Sequence, residues 1–240
     1  MNKITAILIA LFSVFLIPKG FAQKKFTYGV GVDIFQTKLN NVDRESFSGY
    51  GHSMPGFIQN DQLGFGATFL VQTPIYKNLS FETGLGITNF NSQFHFKYIR
   101  QNTNDSVNTK LNISLFYAKV PLFLTYNLSL HKRSAISFSL GTDIRFLFLG
   151  DDNFQEIINE LINLGNPRLY KILIFSPQIS LGYSFKLKNN ATIQLKGTGG
   201  LDLGKAMRPN NMIQGWGFYN NLFASHYTYY GLSLKYFFTK

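Results

Sequence analysis

The stretch that decides the fold is Tyr229-Tyr-Gly-Leu-Ser-Leu-Lys-Tyr-Phe-Phe238. Alternate side chains of an extended strand point to opposite faces, so this stretch would have two faces of different character. The bulky face would consist of Tyr230, Leu232, Leu234, Tyr236 and Phe238. The opposite face would consist of Gly231, Ser233, Lys235 and Phe237. Strands of transmembrane β-barrels alternate in this way, with apolar residues towards lipid and aromatic residues at the membrane interfaces. The pattern therefore predicts a membrane-barrel strand.

The beginning of the chain has the organisation of a cleavable secretory signal peptide. Asn2 and Lys3 form a short positive region, Ile4–Ile17 is almost wholly apolar, and Gly20-Phe21-Ala22 supplies small residues for cleavage. The alternative is a membrane-anchoring helix, but this apolar run is shorter than the roughly 20 residues that such a helix needs. We therefore expect a signal peptide at residues 1–22 and a single outer-membrane barrel domain at residues 23–240.

The composition supports a strand-rich chain. Phe occurs 25 times, Tyr 13 times and Gly 21 times, which is typical of β-proteins. Cysteine is absent, so disulfides, thiolate metal sites and a lipid-modified N-terminal cysteine are excluded. The net charge of +11 could indicate a nucleic-acid partner, but Lys and Arg are scattered and form no basic run. We expect no nucleic-acid binding, and we expect the phosphates of lipopolysaccharide to be the counter-charge.

Alternation of period two recurs in eight segments, which predicts eight antiparallel strands. The segments are Phe26–Gln36, Gln62–Thr73, Leu79–Asn89, Leu115–Tyr126, Ala135–Leu149, Leu173–Phe185, Ala191–Leu203 and the closing strand Tyr229–Phe238. Long connections (Thr37–Asp61, Phe90–Ile113, Gly150–Ile172, Gly204–Leu222) alternate with short ones (Pro74–Asn78, Asn127–Ser134, Lys186–Asn190). Long outer loops and short periplasmic turns are typical of transmembrane barrels. A soluble eight-stranded barrel would instead place its apolar face inside. The prediction is an all-β, eight-stranded antiparallel transmembrane β-barrel.

The face with smaller side chains also carries ionisable residues. They are Asp33, Glu82, Lys119, Asp143, Arg145, Lys196 and Lys235. The interior of an eight-stranded barrel is just wide enough to be filled by its own side chains, and charges buried there must be paired. Glu82 and Lys119 lie on neighbouring strands. The set could form a proton or ion path, or a structural plug of salt bridges; we favour the plug because narrow barrels are packed inside.

One strand carries a family resemblance. Tyr117-Ala-Lys-Val-Pro-Leu-Phe-Leu-Thr-Tyr126, followed by Ser139-Leu-Gly-Thr-Asp-Ile-Arg-Phe-Leu147, resembles the small outer-membrane β-barrel proteins of Bacteroidota, the group that includes the PorT family. The likeness extends loosely over Phe26–Phe238, including Gly29 and Gly31. It implies a barrel fold, and for PorT members a role in protein secretion, although no motif here singles out PorT. Pro121 lies in mid-strand, where proline is unusual, so we expect a local bulge there.

Catalytic and metal-binding patterns are weak. Some outer-membrane barrels are enzymes that use Ser, His and acidic residues near the outer rim. Here His131 falls in a predicted periplasmic turn, His52 and His95 in outer loops, and His226 beside Ser225 near the outer start of the closing strand. No Gly-x-Ser-x-Gly elbow is present, and the histidines have no ligand spacing. We expect no enzymatic activity, no metal and no cofactor.

The third outer connection predicts a helix over Asn153–Leu164, with a capping signal at its start and Gly165 and Pro167 after it. One face of this helix would be apolar and consists of Phe154, Ile157, Ile158, Leu161 and Ile162. It could dock a partner or lipid, or it could pack on the barrel mouth.

The function that we predict is a non-enzymatic outer-membrane barrel with a filled lumen, whose outer loops form a surface-binding or assembly module. Its expected partners are outer-membrane lipid and lipopolysaccharide, the barrel-assembly machinery, and a surface or secretion protein. The alternatives are a PorT-like secretion accessory and a lipid-modifying enzyme at the outer rim.

Overall fold

The computed structural model describes residues 26–40, 47–49, 52–54, 58–99, 106–150, 171–203 and 226–238. These residues form ten strands. They are β1 (Thr27–Asn40), β2 (Phe47–Gly49), β3 (His52–Met54), β4 (Ile58–Tyr76), β5 (Leu79–Ile99), β6 (Ser106–His131), β7 (Ser134–Leu149), β8 (Leu173–Lys186), β9 (Thr192–Leu201) and β10 (His226–Phe237). Within these residues, no helix is both long and apolar enough to cross a membrane.

Eight of the strands close into one barrel, in the order β1-β10-β9-β8-β7-β6-β5-β4. All neighbouring strands are antiparallel, and β1 pairs with both β4 and β10, which closes the sheet. Strands β2 and β3 form a separate two-stranded sheet within the first predicted long connection. The predicted fold class, an eight-stranded antiparallel barrel, is confirmed.

The short connections lie at one end of the barrel, which we call the turn end. Strands β4 and β5 are joined through Lys77 and Asn78, and β6 and β7 through Lys132 and Arg133. Strands β8 and β9 are joined by a tight turn in which the Leu187 amide donates to the Ala191 carbonyl. Asn190 adopts a positive φ of 65° there, a conformation that Asn tolerates better than most residues.

The prediction of a long loop over Phe90–Ile113 is wrong, because much of it is strand. β5 and β6 stay paired up to Ile99 and Ser106, whereas β7 accompanies β6 only as far as the Phe116–Leu149 pair. β5 residues 90–99 and β6 residues 106–115 therefore continue past the end of β7, while β4 accompanies β5 as far as the Ile58–His95 pair; we call this extension the tall hairpin. At about 3.3 Å per residue its ten-residue arm is roughly 30 Å long. The opposite end of the barrel from the turns is called the hairpin end.

The two faces of the barrel wall have inverted polarity compared with a soluble protein. Large apolar side chains point outwards, with exposed fractions of 66% for Leu85 and 61% for Leu232. Polar and charged side chains point inwards, with Glu82 at 0% and Lys196 at 1%. Some inward glycines lie against a neighbouring strand, where a side chain would not fit. A Cβ on Gly182, for example, would collide with the backbone of Leu195 and Lys196.

The expected bulge at Pro121 is wrong. Thr83 faces Leu122 and Gly86 faces Lys119, so the register of β5 and β6 is the same on both sides of the proline. Only the two pairs between these positions are missing from the ladder. Because proline has no N–H to donate, a local gap in the pairing accommodates it without an extra residue. Register shifts occur elsewhere, between Asp61 and Phe65 on β4 and between Phe116 and Tyr117 on β6.

Candidate functional site in the lumen

Among the described residues, three ion pairs cross the lumen. The Lys119 ammonium lies 2.6 Å from Asp33 Oδ2, linking β6 to β1. Lys235 on β10 pairs with Glu82 on β5. Each pair is mostly or wholly buried, so each charge depends on its partner for the interactions that water would otherwise supply.

The neighbouring residues Glu82 and Lys119 do not pair with each other. In the register of β5 and β6, Glu82 faces Phe123 and Lys119 faces Gly86, so the two side chains are four residues apart along the strands. At about 3.3 Å per residue this separation exceeds the reach of an ion pair. Both residues instead find partners on more distant strands.

The third pair includes a residue that the sequence analysis missed. Arg145 Nη2 pairs with Asp202 Oδ1 and also donates to Ser176 Oγ at 2.8 Å. Asp202 follows β9 and lies an even number of residues after Gln194 and Lys196, which point into the lumen. This alternation could have identified it. Counting Asp202, the described lumen holds four acids and four bases, so its formal charge is balanced.

Arg145 is also held by aromatic rings. Its guanidinium carbon lies 4.1 Å from the centre of the Phe90 ring, 5.4 Å from that of Tyr117 and 5.5 Å from that of Tyr229. These distances are those of cation–π contacts. We call the cluster that closes the hairpin end of the lumen the arginine plug; it consists of Arg145, Phe35, Phe90, Tyr117, Tyr227 and Tyr229.

A layer of hydroxyl groups fills the lumen towards the turn end. Lys196 Nζ donates to Ser139 Oγ at 2.8 Å, and Ser139 lies 2.8 Å from Thr125 Oγ1. Ser137 contacts Ser184 and donates to Asn127 at 2.6 Å. We call this set the hydroxyl layer. In this layer the hydroxyl groups hydrogen-bond one another, Lys196 and Asn127, so the layer is both packed and polar.

Between the arginine plug and the hydroxyl layer lies a central cavity of about 40 Å³. Its walls carry Asp33, Glu82, Lys119, Asp143 and Lys235, five of the seven predicted lumen charges. Asp143 accepts a hydrogen bond from the Gln178 amide at 2.6 Å. This volume is too small for a solute pathway, and the groups around it are buried between the two packed layers. The described part of the lumen is therefore filled.

Of the four histidines, the side chains of His131 and His226 are described, and these two lie at opposite ends of the barrel. His131 is exposed at the turn end of β6, and His226 is half-buried at the start of β10. His52 lies in β3 and His95 in β5, where only the backbone is described. Ser225, the candidate partner of His226, lies outside the described residues, as do the predicted helix Asn153–Leu164 and its apolar face, Phe154, Ile157, Ile158, Leu161 and Ile162. Among the described residues, no cluster of three or more His, Cys, Asp or Glu could hold a metal ion.

No family model and no curated protein matches the chain. Solved structures with a similar chain trace include Neisserial surface protein A, with a TM-score of 0.42 and 9% identity over 87% of this chain and 95% of that one. The outer membrane protein OprG from Pseudomonas aeruginosa has a TM-score of 0.42 and 10% identity, covering 90% and 98%. The outer membrane protease OmpT from Escherichia coli has a TM-score of 0.39 and 8% identity, covering 89% and 97%. The narrower resemblance to the Bacteroidota and PorT group stays a prediction.

Proposed function

We propose that the chain is a non-enzymatic outer-membrane protein, whose filled barrel is an anchor and whose parts beyond the membrane bind a surface or assembly partner. The exterior of the barrel supports the membrane location. Side chains such as Ile34, Leu63, Leu85, Ile179 and Leu232 are each more than half exposed. An apolar surface of this extent is unsuited to water, and it fits the acyl chains of a bilayer. The shortest barrel strand, β9, has 10 residues, which suffices for a tilted crossing.

The single observation that carries the functional proposal is the filled lumen. The arginine plug, the central cavity of about 40 Å³ and the hydroxyl layer leave no room for a solute to pass. A barrel without a pathway does not conduct solutes, and we propose that it acts through the segments that it presents outside the membrane. The tall hairpin is the largest such feature among the described residues, since it continues ten residues past the end of β7.

The partners follow from this proposal. Outer-membrane lipid and lipopolysaccharide would surround the barrel, and the barrel-assembly machinery would insert it. The partner of the outer segments would be a surface or secretion protein.

A truncation tests the proposal. Gln93 and Asn112 face each other across β5 and β6 and their side chains share a 2.8 Å hydrogen bond. Replacing residues 94–111 by Asn-Gly, which favours a two-residue hairpin turn, would shorten the tall hairpin and keep the buried residues Phe90, Ile113 and Leu115. From the β4 ladder it removes only the partners of Ile58 and Gln59. A second variant lacking residues 153–164 would remove the predicted helix. Both should stay folded, shown by faster gel migration of unheated samples, and at least one should lose the proteins cross-linked to it in intact cells.

The matched control is Lys132→Ala with Arg133→Ala, at the turn end, which should keep every cross-link. If neither truncation changes the cross-linked proteins, the binding proposal is wrong. The membrane location has its own test, because the purified wild type should need detergent to remain monomeric. A compact monomer in plain buffer would contradict that location.

A further inference from the structure

Four of the residues that line the central cavity each have a polar atom without a hydrogen-bond partner in the protein. They are Glu82 Oε2, Asp143 Oδ1, Thr68 Oγ1 and Ser233 Oγ. All four residues are more than nine-tenths buried, with exposed fractions of 0% for Glu82, 7% for Asp143, 7% for Thr68 and 4% for Ser233. Buried polar atoms in folded proteins almost always have a partner, which is either protein or ordered water. The cavity is where these four atoms can find one.

The chemistry of the four atoms selects the ligand. The two carboxylate oxygens can only accept hydrogen bonds, and the two hydroxyls can donate one each. A water molecule donates two hydrogen bonds and accepts two, so it complements this set. A metal cation would share the cavity with the ammonium groups of Lys119 and Lys235, and an anion would meet the carboxylates of Asp33, Glu82 and Asp143. Neither ion fits a wall of mixed charge as well as water does.

The size of the cavity agrees with this choice. A water molecule needs at least about 10–15 Å³ of such volume and two to four polar partners. A cavity of about 40 Å³ therefore has room for a small cluster and for nothing much larger.

We propose that the central cavity is a binding site for a structural cluster of water molecules that hydrogen-bonds Glu82, Asp143, Thr68 and Ser233. The four residues belong to β5, β7, β4 and β10. The cluster joins strands that do not pair with one another across the lumen, namely β7 with β4, β5 and β10. Its hydrogen bonds would hold these strands together across the lumen and would link the arginine plug to the hydroxyl layer.

The first test is a crystal structure of the full-length mature protein grown with rubidium as the only metal cation. Density within hydrogen-bonding distance of Glu82 Oε2 and Asp143 Oδ1, without anomalous signal, is the expected result. An anomalous peak at that position would identify a cation site and overturn the proposal. Direct contact between the Glu82 and Asp143 carboxyl groups, sharing a proton with nothing between them, would also overturn it.

The second test needs no crystal, because X-ray radiolysis converts bound water into hydroxyl radicals that oxidise adjacent side chains. Leu70 and Phe123 line the cavity, at 1% and 7% exposed. Leu115 and Phe35 are matched controls at 1% and 5%, and neither lines the cavity. In the folded wild type, Leu70 and Phe123 should be oxidised several-fold faster than Leu115 and Phe35. Equal rates would show that the cavity holds no water.

A substitution links the labelling to the proposed partners. Thr68→Val keeps the shape of the side chain and removes its hydroxyl, so oxidation of Leu70 should fall while the barrel stays folded. Ser184→Ala removes a hydroxyl from the hydroxyl layer instead and should leave Leu70 unchanged. An unchanged rate at Leu70 in the Thr68→Val variant would exclude Thr68 as a partner of the cluster and contradict the site as proposed. If that variant does not fold, the wild-type comparison of matched residues still decides the question.

Discussion

The same eight strands build two surfaces that follow different rules. On the outer surface, which we propose faces lipid, residues such as Ile34 and Leu232 would meet the same apolar medium in every direction. A residue there needs to be apolar, but it needs no particular neighbour. On the inner surface, each ion pair joins particular residues of strands that do not adjoin, as in Asp33 with Lys119 and Glu82 with Lys235. The outer face therefore specifies the surroundings of the barrel, and the inner face specifies which strands face each other.

The largest effect is expected from breaking an inner pair. Glu82→Gln leaves Lys235 charged and buried without its carboxylate, and such a loss typically costs about 3–5 kcal/mol. The measurement is the free energy of unfolding in lipid vesicles, from urea titrations followed by gel migration.

The double variant Glu82→Gln, Lys235→Met is the control for that measurement. It removes both charges, so it should recover a large part of the lost stability. If Glu82→Gln alone were as stable as the wild type, the pair would have no structural role and the contrast between the two surfaces would fail.

A charge placed on the outer surface should cost somewhat less. Leu232→Arg lies on β10 and points outwards near the middle of the strand, where Arg costs about 2–4 kcal/mol in membrane barrels. Leu232→Ile is the control and should differ little from the wild type in stability, because isoleucine keeps an apolar side chain on this surface. The same urea titration measures both. Equal destabilisation by Arg and Ile would mean that this surface does not face lipid.

A filled lumen also predicts that the wild-type protein gives no stable large conductance in planar bilayers. The arginine plug and the hydroxyl layer would both have to move to open a path. The measurement is a planar-bilayer recording from refolded protein, whose folding is shown by faster gel migration of the unheated sample. Steady, ion-selective channels from such a sample would show that the lumen is a path rather than a plug.

The smallest effect is expected at the rim. His226 is half-buried at the start of β10, and it takes part in none of the three ion pairs among the described residues. His226→Ala should leave the lipid A mass spectrum of expressing cells unchanged, since we propose no chemistry there. A lipid A modification that depends on wild-type protein and disappears in this variant would instead establish an enzyme.

The alternation of side chains predicted both surfaces because it is a local property with a period of two residues. It therefore assigned all seven expected charges, from Asp33 to Lys235, to the inner face before their partners were known. The tall hairpin was missed because three consecutive polar residues, Asn91, Ser92 and Gln93, interrupt the alternation at its base. The alternation resumes beyond them, in Phe94-His-Phe-Lys-Tyr98 and in Leu111-Asn-Ile-Ser-Leu115.

The pairing of the charges could not be predicted in the same way. Lys119 and Asp33 are 86 residues apart, and Lys235 and Glu82 are 153 apart. Which of these residues meet depends on the tilt and stagger of the closed barrel, which no single strand encodes. Asp202 continues the alternation of Gln194 and Lys196, but it was missed because Gly197, Gly199 and Gly200 obscure that alternation just before it.

The seam between β1 and β10 has a consequence for truncated chains. Strand β10 follows the other seven barrel strands in the sequence, and it supplies the closing hydrogen bonds to both β1 and β9. Without β10 the sheet has two open edges, on β1 and on β9, which are sites for pairing with other chains. A premature stop before β10 would remove Lys235 as well as the seam, leaving Glu82 unpaired. Shortened chains should therefore be lost to aggregation or degradation, and they should not accumulate as smaller barrels.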